Sequence, residues 1–488
     1  MVTLVVAEKP SMARDIAAAL GARQRREGFL AGGRLGRDEA WVTWCVGHLV
    51  EVAEPHEHDP RWKRWNPADL PMLPEELQLR ARSRSRDQWR VVRGLLRQRG
   101  VDEVINACDA GREGELIFRY VYQLAGCRKP TRRLWLSSLT PSAIQAGLRR
   151  LRPGHELEPL AAAARCRAEA DWLVGMNATR GYTSRSSGLL TLGRVQTPTL
   201  ALVVRREEEI ERFVPTPYWL VQATLTAELR GGAGRGESVR WEARWLDRRK
   251  LGPRKLGLAD EREPKGAKRG PTRREAPLAA RLGSEEEARA LVARLAGQPG
   301  RVVEVTRREE RVPPPLLHHL TSLQQEANRR YGLTADQTLQ AAQALYEKRK
   351  LITYPRTDSR HLTRDVAAGL RAVVAAVACG PYAQAAQGLL AGGLPPLGRR
   401  YVDDAKVGDH HAIVPTASAP NLDALPQREA RVYDLIVRRF LAAFHPPAIY
   451  ARSRIDAEVA GELLRANGRV RLDPGWEAIE PPARRRRQ

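Results

Sequence analysis

The sequence predicts a multidomain protein in which an α/β unit is followed by separate helical and β-rich parts. Three patterns predict it. Short apolar strands alternate with amphipathic helices over residues 1–152, helical spacing dominates 160–211, and apolar/polar alternation of period two begins near residue 218. At 488 residues the chain is long enough for about three domains. It carries 82 Lys plus Arg against 57 Asp plus Glu, a formal charge of +25, which calls for a polyanionic partner. An apolar fraction of 42% excludes disordered and collagen-like classes. No apolar run approaches the ~18 residues of a membrane helix. The opening MVTLVVAEKPS also lacks the basic region and longer apolar stretch of a signal peptide, so a cytoplasmic protein without membrane contact is expected. The five cysteines (Cys45, Cys108, Cys127, Cys166, Cys379) form no Cys-x-x-Cys pair, which argues against a disulfide framework or zinc ribbon.

In chain order, Thr3 to Ala7 reads as the first strand. Pro10 and Ser11 open a helix through Leu20, and Gly21 ends it, because Pro suits the first helical turn and Gly accepts a left-handed cap. Glu8 and Lys9 therefore sit in a strand-to-helix turn. Residues 101–107 read as a second strand of a mainly parallel sheet, ending before Asp109, with a helix over the stretch ELIFRYVYQL from Glu115. A third strand is expected from Leu134 to Ser137, then Thr140 as cap of another helix. One long helix spans Leu160 to Ser184, and LGRVQTPTLALVVRREEEI from Leu192 opens a second. Residues 218–228 and 239–246 alternate like antiparallel strands, whereas 247–278, rich in Lys, Arg, Gly and Pro, reads as a flexible insertion. A helix over 284–295, a strand over 301–306 and the triple proline 313–315 precede a helix pair. Its first helix runs from His318 to Tyr331 and stops at Gly332. The second starts at Thr334 with Gln337 as a capping box and ends near Lys350, just before LITYPRTDSR.

Asp109 and Glu113 follow a strand end and stand four apart at a helix start, so both carboxylates can face one side and share a hard cation such as Mg²⁺. Glu8 also leaves a strand end and can complete a three-carboxylate cluster, since neighbouring strand ends meet at one sheet edge. Spacing alone equally describes solvated turn acids paired with Arg112. Tyr354, flanked by Pro355, Arg356, Thr357 and Asp358, reads either as a half-buried packing residue or as a nucleophile. In the second case Arg356 would offer planar donors to a phosphate. His410 and His411 can serve as phosphate donors, metal ligands or a polar turn; adjacent histidines point apart, which disfavours a two-histidine metal site.

Taken together these motifs resemble the type IA DNA topoisomerases, and within them the topoisomerase III branch. VAEKPS (6–11) and CDAGREGELIFR (108–119) resemble the two halves of a Toprim metal site; LGRVQTPTL (192–200) resembles the DNA-binding helix; LITYPRTDSR (351–360) the nucleophile motif; HHAIVPT (410–416) the histidine motif that follows it. Five motifs in this order cover nearly the whole chain. The resemblance implies a Toprim α/β domain (1–152), a helical DNA-groove domain (153–214), a discontinuous β-rich arch (215–310 and 417–478), a helical tyrosine-bearing domain (311–416) and a basic tail (479–488). These would form an open ring around DNA.

The resemblance also implies roles. Tyr354 would attack a phosphodiester of single-stranded DNA, leaving a 5′-phosphotyrosyl link and a free 3′-hydroxyl, so that resealing needs no ATP. Glu8 would exchange protons with the 3′-oxygen or hold the metal, with Asp109 and Glu113 binding Mg²⁺. Lys9, Arg356 and Arg194 would offset phosphate charge and His410 would donate to it, whereas Gln196, Arg180, Thr357, Asp358 and His411 would contact DNA. Substrates would be single-stranded, negatively supercoiled or catenated DNA, partners a helicase and a single-strand-binding protein, and the location the nucleoid.

Two departures stand out. Many relatives carry a second aspartate between Asp109 and Glu113, where this chain has Gly111. Relatives also continue beyond the point corresponding to RLDPGWEAIEP with a segment that finishes the helical base. The resemblance therefore implies that roughly a fifth to a quarter of the core, and the zinc-binding C-terminal modules, are absent, leaving apolar helix faces at 160–200 uncovered. A competing expectation is a non-catalytic DNA-binding remnant. Another is a Toprim nuclease or primase-like enzyme, which would need neither Tyr354 nor Arg356.

Overall fold

The computed structural model describes residues 1–136, 139, 141–228, 238–251 and 278–482. The chain divides into two compact units, one of residues 1–209, 315–444 and 482–488, the other of 210–314 and 445–481.

The first unit is built on a seven-stranded sheet in the order Gln24–Arg26, Phe29–Leu35, Asp38–Trp44, Val2–Ala7, Val101–Ala107, Thr131–Arg133, Arg152–Pro153. Its central strand Val2–Ala7 is apolar throughout, with Leu4, Val5 and Val6 wholly buried, as a strand covered on both faces requires. That strand runs parallel to Asp38–Trp44 on one side and Val101–Ala107 on the other, with Ala7 opposite both Trp44 and Ala107. The expected mainly parallel sheet is in fact mixed. A hairpin over residues 24–44 adds antiparallel pairs, which Arg23, Arg25, Arg26 and the interrupting Gly28, Gly32 and Gly33 hid from the alternation pattern. The strand expected at 134–137 lies three residues earlier, at Thr131–Arg133. Ser137 and the cap Thr140 lie outside the described residues. Helix Pro10–Leu20 closes at Gly21, whose φ of 73° is the left-handed conformation that favours glycine there.

The long helix Glu158–Thr183 packs against Arg112–Leu124 and inserts Trp172 beside Trp62 and Met72. The following helix, Gln196–Glu211, has no buried residue; Leu200 and Leu202 are 63% and 65% exposed. Helices Leu320–Tyr331 and Ala335–Glu347 carry the expected glycine stop at Gly332 and the Thr334/Gln337 capping box. A third helix, Gln427–Ala442, buries Val432, Leu435, Ile436 and Phe440 and packs on both. This corrects the arch boundary expected at 417. The segment up to residue 444 belongs to the first unit, because its apolar spacing is helical and is satisfied by the helix pair. The expected Toprim, groove and tyrosine domains thus share one compact unit.

The second unit is an antiparallel sheet in the order Gln222–Glu228, Ser238–Leu246, Glu462–Asp473, Ala448–Val459, Gly300–Val312. Helix Glu285–Leu295, capped by Ser284, covers it through Ala288, Leu291 and Leu295. Of the insertion expected at 247–278, residues 252–277 lie outside the described residues, as do Arg484 to Arg487 of the basic tail. All five cysteines are free thiols, and no helix among the described residues is long and apolar enough to cross a membrane.

Glu326 tests the helix pair. Burial would raise its carboxyl pKa, but hydrogen bonds from Arg330 and Arg329 outweigh burial and hold it below the usual range. A depressed carboxyl contributes stability that is present above the unfolded value of about 4.3 and lost as pH falls through the folded one. Glu326→Gln should cost about 1–3 kcal/mol at neutral pH. The urea midpoints of variant and wild type should converge in acid.

Candidate active site

The register of the two central parallel strands sets the site. With Ala7 opposite Ala107, the residues just beyond, Glu8 and Asp109, emerge at the same sheet edge. The Asp109 N–H donates to Glu8 Oε2 at 3.3 Å. The third parallel strand ends there too, since the N–H groups of Cys45 and Gly47 donate to the carbonyls of Ala7 and Glu8. Lys9 joins the acids, its Nζ 3.0 Å from Glu8 Oε1 and 2.9 Å from Asp109 Oδ2. Burial opposes the Lys9 charge, but Asp109 and Glu8 outweigh it and hold the ammonium well above its usual pKa. Burial likewise opposes the Asp109 charge, yet His410 and Lys9 keep that carboxyl well below the usual range. Glu8 is pushed up, by burial first and by the Asp109 charge second.

Tyr354 reaches the same point from the helical part of this unit. The Lys9 Nζ lies 4.7 Å from the Tyr354 ring centroid, a cation–π distance. The His410 ring is 4.3 Å from the Tyr354 ring, and His410 Nε2 is 3.5 Å from Asp109 Oδ2. The tyrosine and histidine motifs are stitched together by backbone and hydroxyl groups. The Thr353 N–H donates to the Val414 carbonyl at 2.9 Å, the Val414 N–H returns to Thr353 Oγ1 at 3.0 Å, and the Thr357 hydroxyl donates to the His410 carbonyl at 2.9 Å. Lys9, Asp109, Tyr346, Tyr354, His410 and His411 line a cleft of about 420 Å³.

Other expected residues are located elsewhere. Glu113 does not converge with Glu8 and Asp109; it is one turn into helix Arg112–Leu124, 63% exposed at its side chain, with Oε1 2.5 Å from His48 Nε2. Thr357 is buried and spends its hydroxyl on the His410 carbonyl and the Ser359 N–H, so it braces the loop rather than meeting DNA. His411 lines the cleft, but its Nδ1–H donates to the Ala412 carbonyl at 2.8 Å, and burial lowers its pKa, leaving it a neutral wall. Arg180 is also turned inward. It is 8% exposed, donates to the Trp62 carbonyl at 2.6 Å and stacks 5.2 Å from the Trp65 centroid, because its helix passes under that loop. Arg356, Asp358 and Gln196 are exposed and do not line the cleft; nor does Arg194, paired with Asp171 at 2.8 Å.

The donors Glu8, Asp109 and Glu113 are all oxygen, the chemistry a hard divalent cation takes. Among the described residues no three acidic, histidine or cysteine groups are yet drawn together around a common point, since Lys9 bridges two of the acids and His48 holds the third.

Three contributors escaped the sequence. Arg133, 1% exposed, donates to the carbonyls of Asn106, Cys108 and Asp109 at 3.0, 2.7 and 2.7 Å, shaping the acidic loop. Tyr346 packs edge-on against Tyr354 at 5.4 Å, one helical face before it, and His48 pairs with Glu113. The helical spacing of Tyr346 was a usable signal, whereas an arginine in a short strand and a loop histidine offered none. Arg180→Met should lower stability by about 2 kcal/mol, because it removes a charged donor from a buried carbonyl. The affinity for a single-stranded oligonucleotide, read by fluorescence anisotropy across a salt series, should be unchanged.

Comparison with known proteins bears on this geometry. A DNA topoisomerase family profile matches residues 156–488, and a Toprim domain profile matches residues 3–139. The chain is 40% identical over 476 residues to DNA topoisomerase 3 of Shouchella clausii, and 37% identical over 477 residues to DNA topoisomerase 3 of Bacillus subtilis. Each match covers 98% of this chain and 59% of the relative, so the chain spans about three fifths of the length of these curated proteins. Full-length topoisomerase I from Thermotoga maritima shares the fold, with a TM-score of 0.60 at 20% identity, covering 99% of this chain and 68% of that one. With a Toprim domain carrying Glu8 and Asp109, and a topoisomerase region carrying Tyr354 and His410, the chain belongs to the type IA DNA topoisomerases, on their topoisomerase III branch.

Proposed function

We propose that the chain is an ATP-independent DNA topoisomerase that cleaves single-stranded DNA through Tyr354, passes a strand and reseals the break. The observation that carries this reading is the meeting of Tyr354, His410, Lys9 and Asp109 in one cleft. The Tyr354 oxygen forms a bond to phosphorus as the bond from phosphorus to the 3′-oxygen breaks, leaving the 5′-phosphate on the tyrosine. The departing 3′-oxygen takes up a proton, with Glu8 as the exchanging group beside it. Resealing reverses both transfers, so the bond energy is kept and no nucleotide is consumed.

Lys9 offers its ammonium to the charge building on the phosphate oxygens, and His410 donates an N–H to the same group. Arg356, exposed and without an ion pair among the described residues, is available to a phosphate on the neighbouring nucleotide. Glu8, Asp109 and Glu113 would hold Mg²⁺, which when bound supplies charge stabilisation and positions the DNA backbone. The net charge of +25 favours a strand tracked by its phosphates, with strongly salt-dependent binding. Arg194 and Gln196 lie exposed at the start of helix Gln196–Glu211, where a strand can reach them. The proposal extends to the arrangement: a helical groove at 153–214, a β-rich arch and a tyrosine-bearing domain in an open ring around DNA. It extends also to a cytoplasmic, nucleoid-associated setting in which a helicase and a single-strand-binding protein present negatively supercoiled or catenated DNA.

Covalent trapping tests the reading. With Mg²⁺ and a 3′-labelled single-stranded oligonucleotide quenched in detergent, wild type should be recovered carrying label and Tyr354→Phe should not. Lys9→Ala should reduce the initial rate of adduct formation about 10²-fold. A folded protein that binds the oligonucleotide yet yields no adduct would instead be a DNA-binding remnant.

A further inference from the structure

The backbone does not call for glycine at position 111, whose φ of −171° is extended. Space calls for it. A Cβ at Gly111 would lie 2.6 Å from Asp409 Cγ and 2.7 Å from Oδ1, closer than real Cβ contacts come. The Asp409 carboxylate therefore fills the volume that a side chain at 111 would take. Gly111 stands midway between Asp109 and Glu113, and Asp409 immediately precedes His410, which reaches Asp109. Asp109, His410, Arg112 and Arg133 are the charged groups that Asp409 faces, two of them cationic and fixed to the sheet side of the cleft.

We propose that Asp409 is a further carboxylate of the divalent-cation site, supplied from the tyrosine-bearing segment through the notch left by Gly111. The site then has its full acidic complement only while that segment is docked on the sheet edge. This rests on the preceding reading, in which Glu8, Asp109 and Glu113 take the cation and the tyrosine-bearing segment lifts to pass a strand. Those three acids travel with the α/β part. Asp409 travels with His410 and, through the bridges from Thr353 to Val414 and from Thr357 to His410, with Tyr354. Lifting Tyr354 would therefore remove one carboxylate from the cation. By linkage, a cation that binds the docked state more tightly favours docking by the same factor. Position 111 and position 409 become alternative sources of one carboxylate, which explains why a chain with glycine at 111 keeps an acid at this point of the loop.

The test needs no turnover. Mn²⁺ is titrated into the full chain and the free ion is followed by electron paramagnetic resonance, with folding checked by circular dichroism. Asp409→Asn should weaken Mn²⁺ binding roughly tenfold. Gly111→Asp alone should weaken it as well, because two carboxylates then compete for one space. The double variant Gly111→Asp/Asp409→Asn should recover to within about twofold of wild type, since the carboxylate now comes from the sheet side. Unchanged Mn²⁺ affinity in folded Asp409→Asn overturns the proposal, and so does a double variant no better than either single one. Wild type that binds no Mn²⁺ overturns the cation reading of the preceding subsection, and this inference falls with it.

Discussion

Everything in the cleft depends on the pairing of two buried parallel strands, Val2–Ala7 and Val101–Ala107, in a register that releases Glu8 and Asp109 at one sheet edge. A slip by one residue would turn every side chain on one strand to the other face and separate the two acids. The slip is resisted by apolar side chains packed on both faces, Leu4 and Val6 on one and Val5 and Ala7 on the other. Carboxylates this close repel one another, and the Lys9 ammonium between them is what makes the arrangement tolerable without a bound cation. Packing thus fixes the positions, and electrostatics decides who may occupy the space between them.

Arg133 is the less obvious half of that bargain. A guanidinium 1% exposed is costly to desolvate, and here four carbonyl hydrogen bonds and the nearby Glu115 carboxylate offset the cost. Because the bonds go to Asn106, Cys108, Leu134 and Asp109, the arginine ties the strand end, its neighbour and the acidic loop into one piece. Glu115 is in turn held by Asn106 and Arg119, so the helix that follows the loop belongs to the same network.

Much of this was legible in the residues. Helices with caps and stops written locally, such as Pro10 to Gly21 and Thr334 to Glu347, need only short-range chemistry and stand where the spacing puts them. Glu8, Lys9, Asp109, Tyr354 and His410 were each singled out by motif, and the fold draws them together. What could not be read is whatever depends on distant partners. Glu113 was expected beside Asp109 from its spacing of four, but a histidine 65 residues earlier in the chain claims it. Arg180 and Thr357 carry the right chemistry for DNA and spend it on carbonyls that no local pattern reveals. The hairpin at 24–44 and the helix Gln427–Ala442 fail for a related reason. In each, charged residues or glycines blur a periodicity that only the completed neighbour makes sense of.

Helix Gln196–Glu211 carries a consequence of its own. Most helices in folded proteins owe their persistence to a face packed on a core, whereas sixteen residues standing alone in water are only marginally helical. With no residue buried, this segment draws its order from the run of Arg and Glu, from the Arg206–Glu209 ion pair and from the Gly193 and Val195 carbonyls at its start. Its amide hydrogens should accordingly exchange with solvent far ahead of those of Glu158–Thr183, the helix just before it, which is anchored by Trp172 and Asn177. Two neighbouring helices of similar appearance would differ widely in lifetime, the one framing the groove steadily and the other opening and closing many times while its neighbour stays shut.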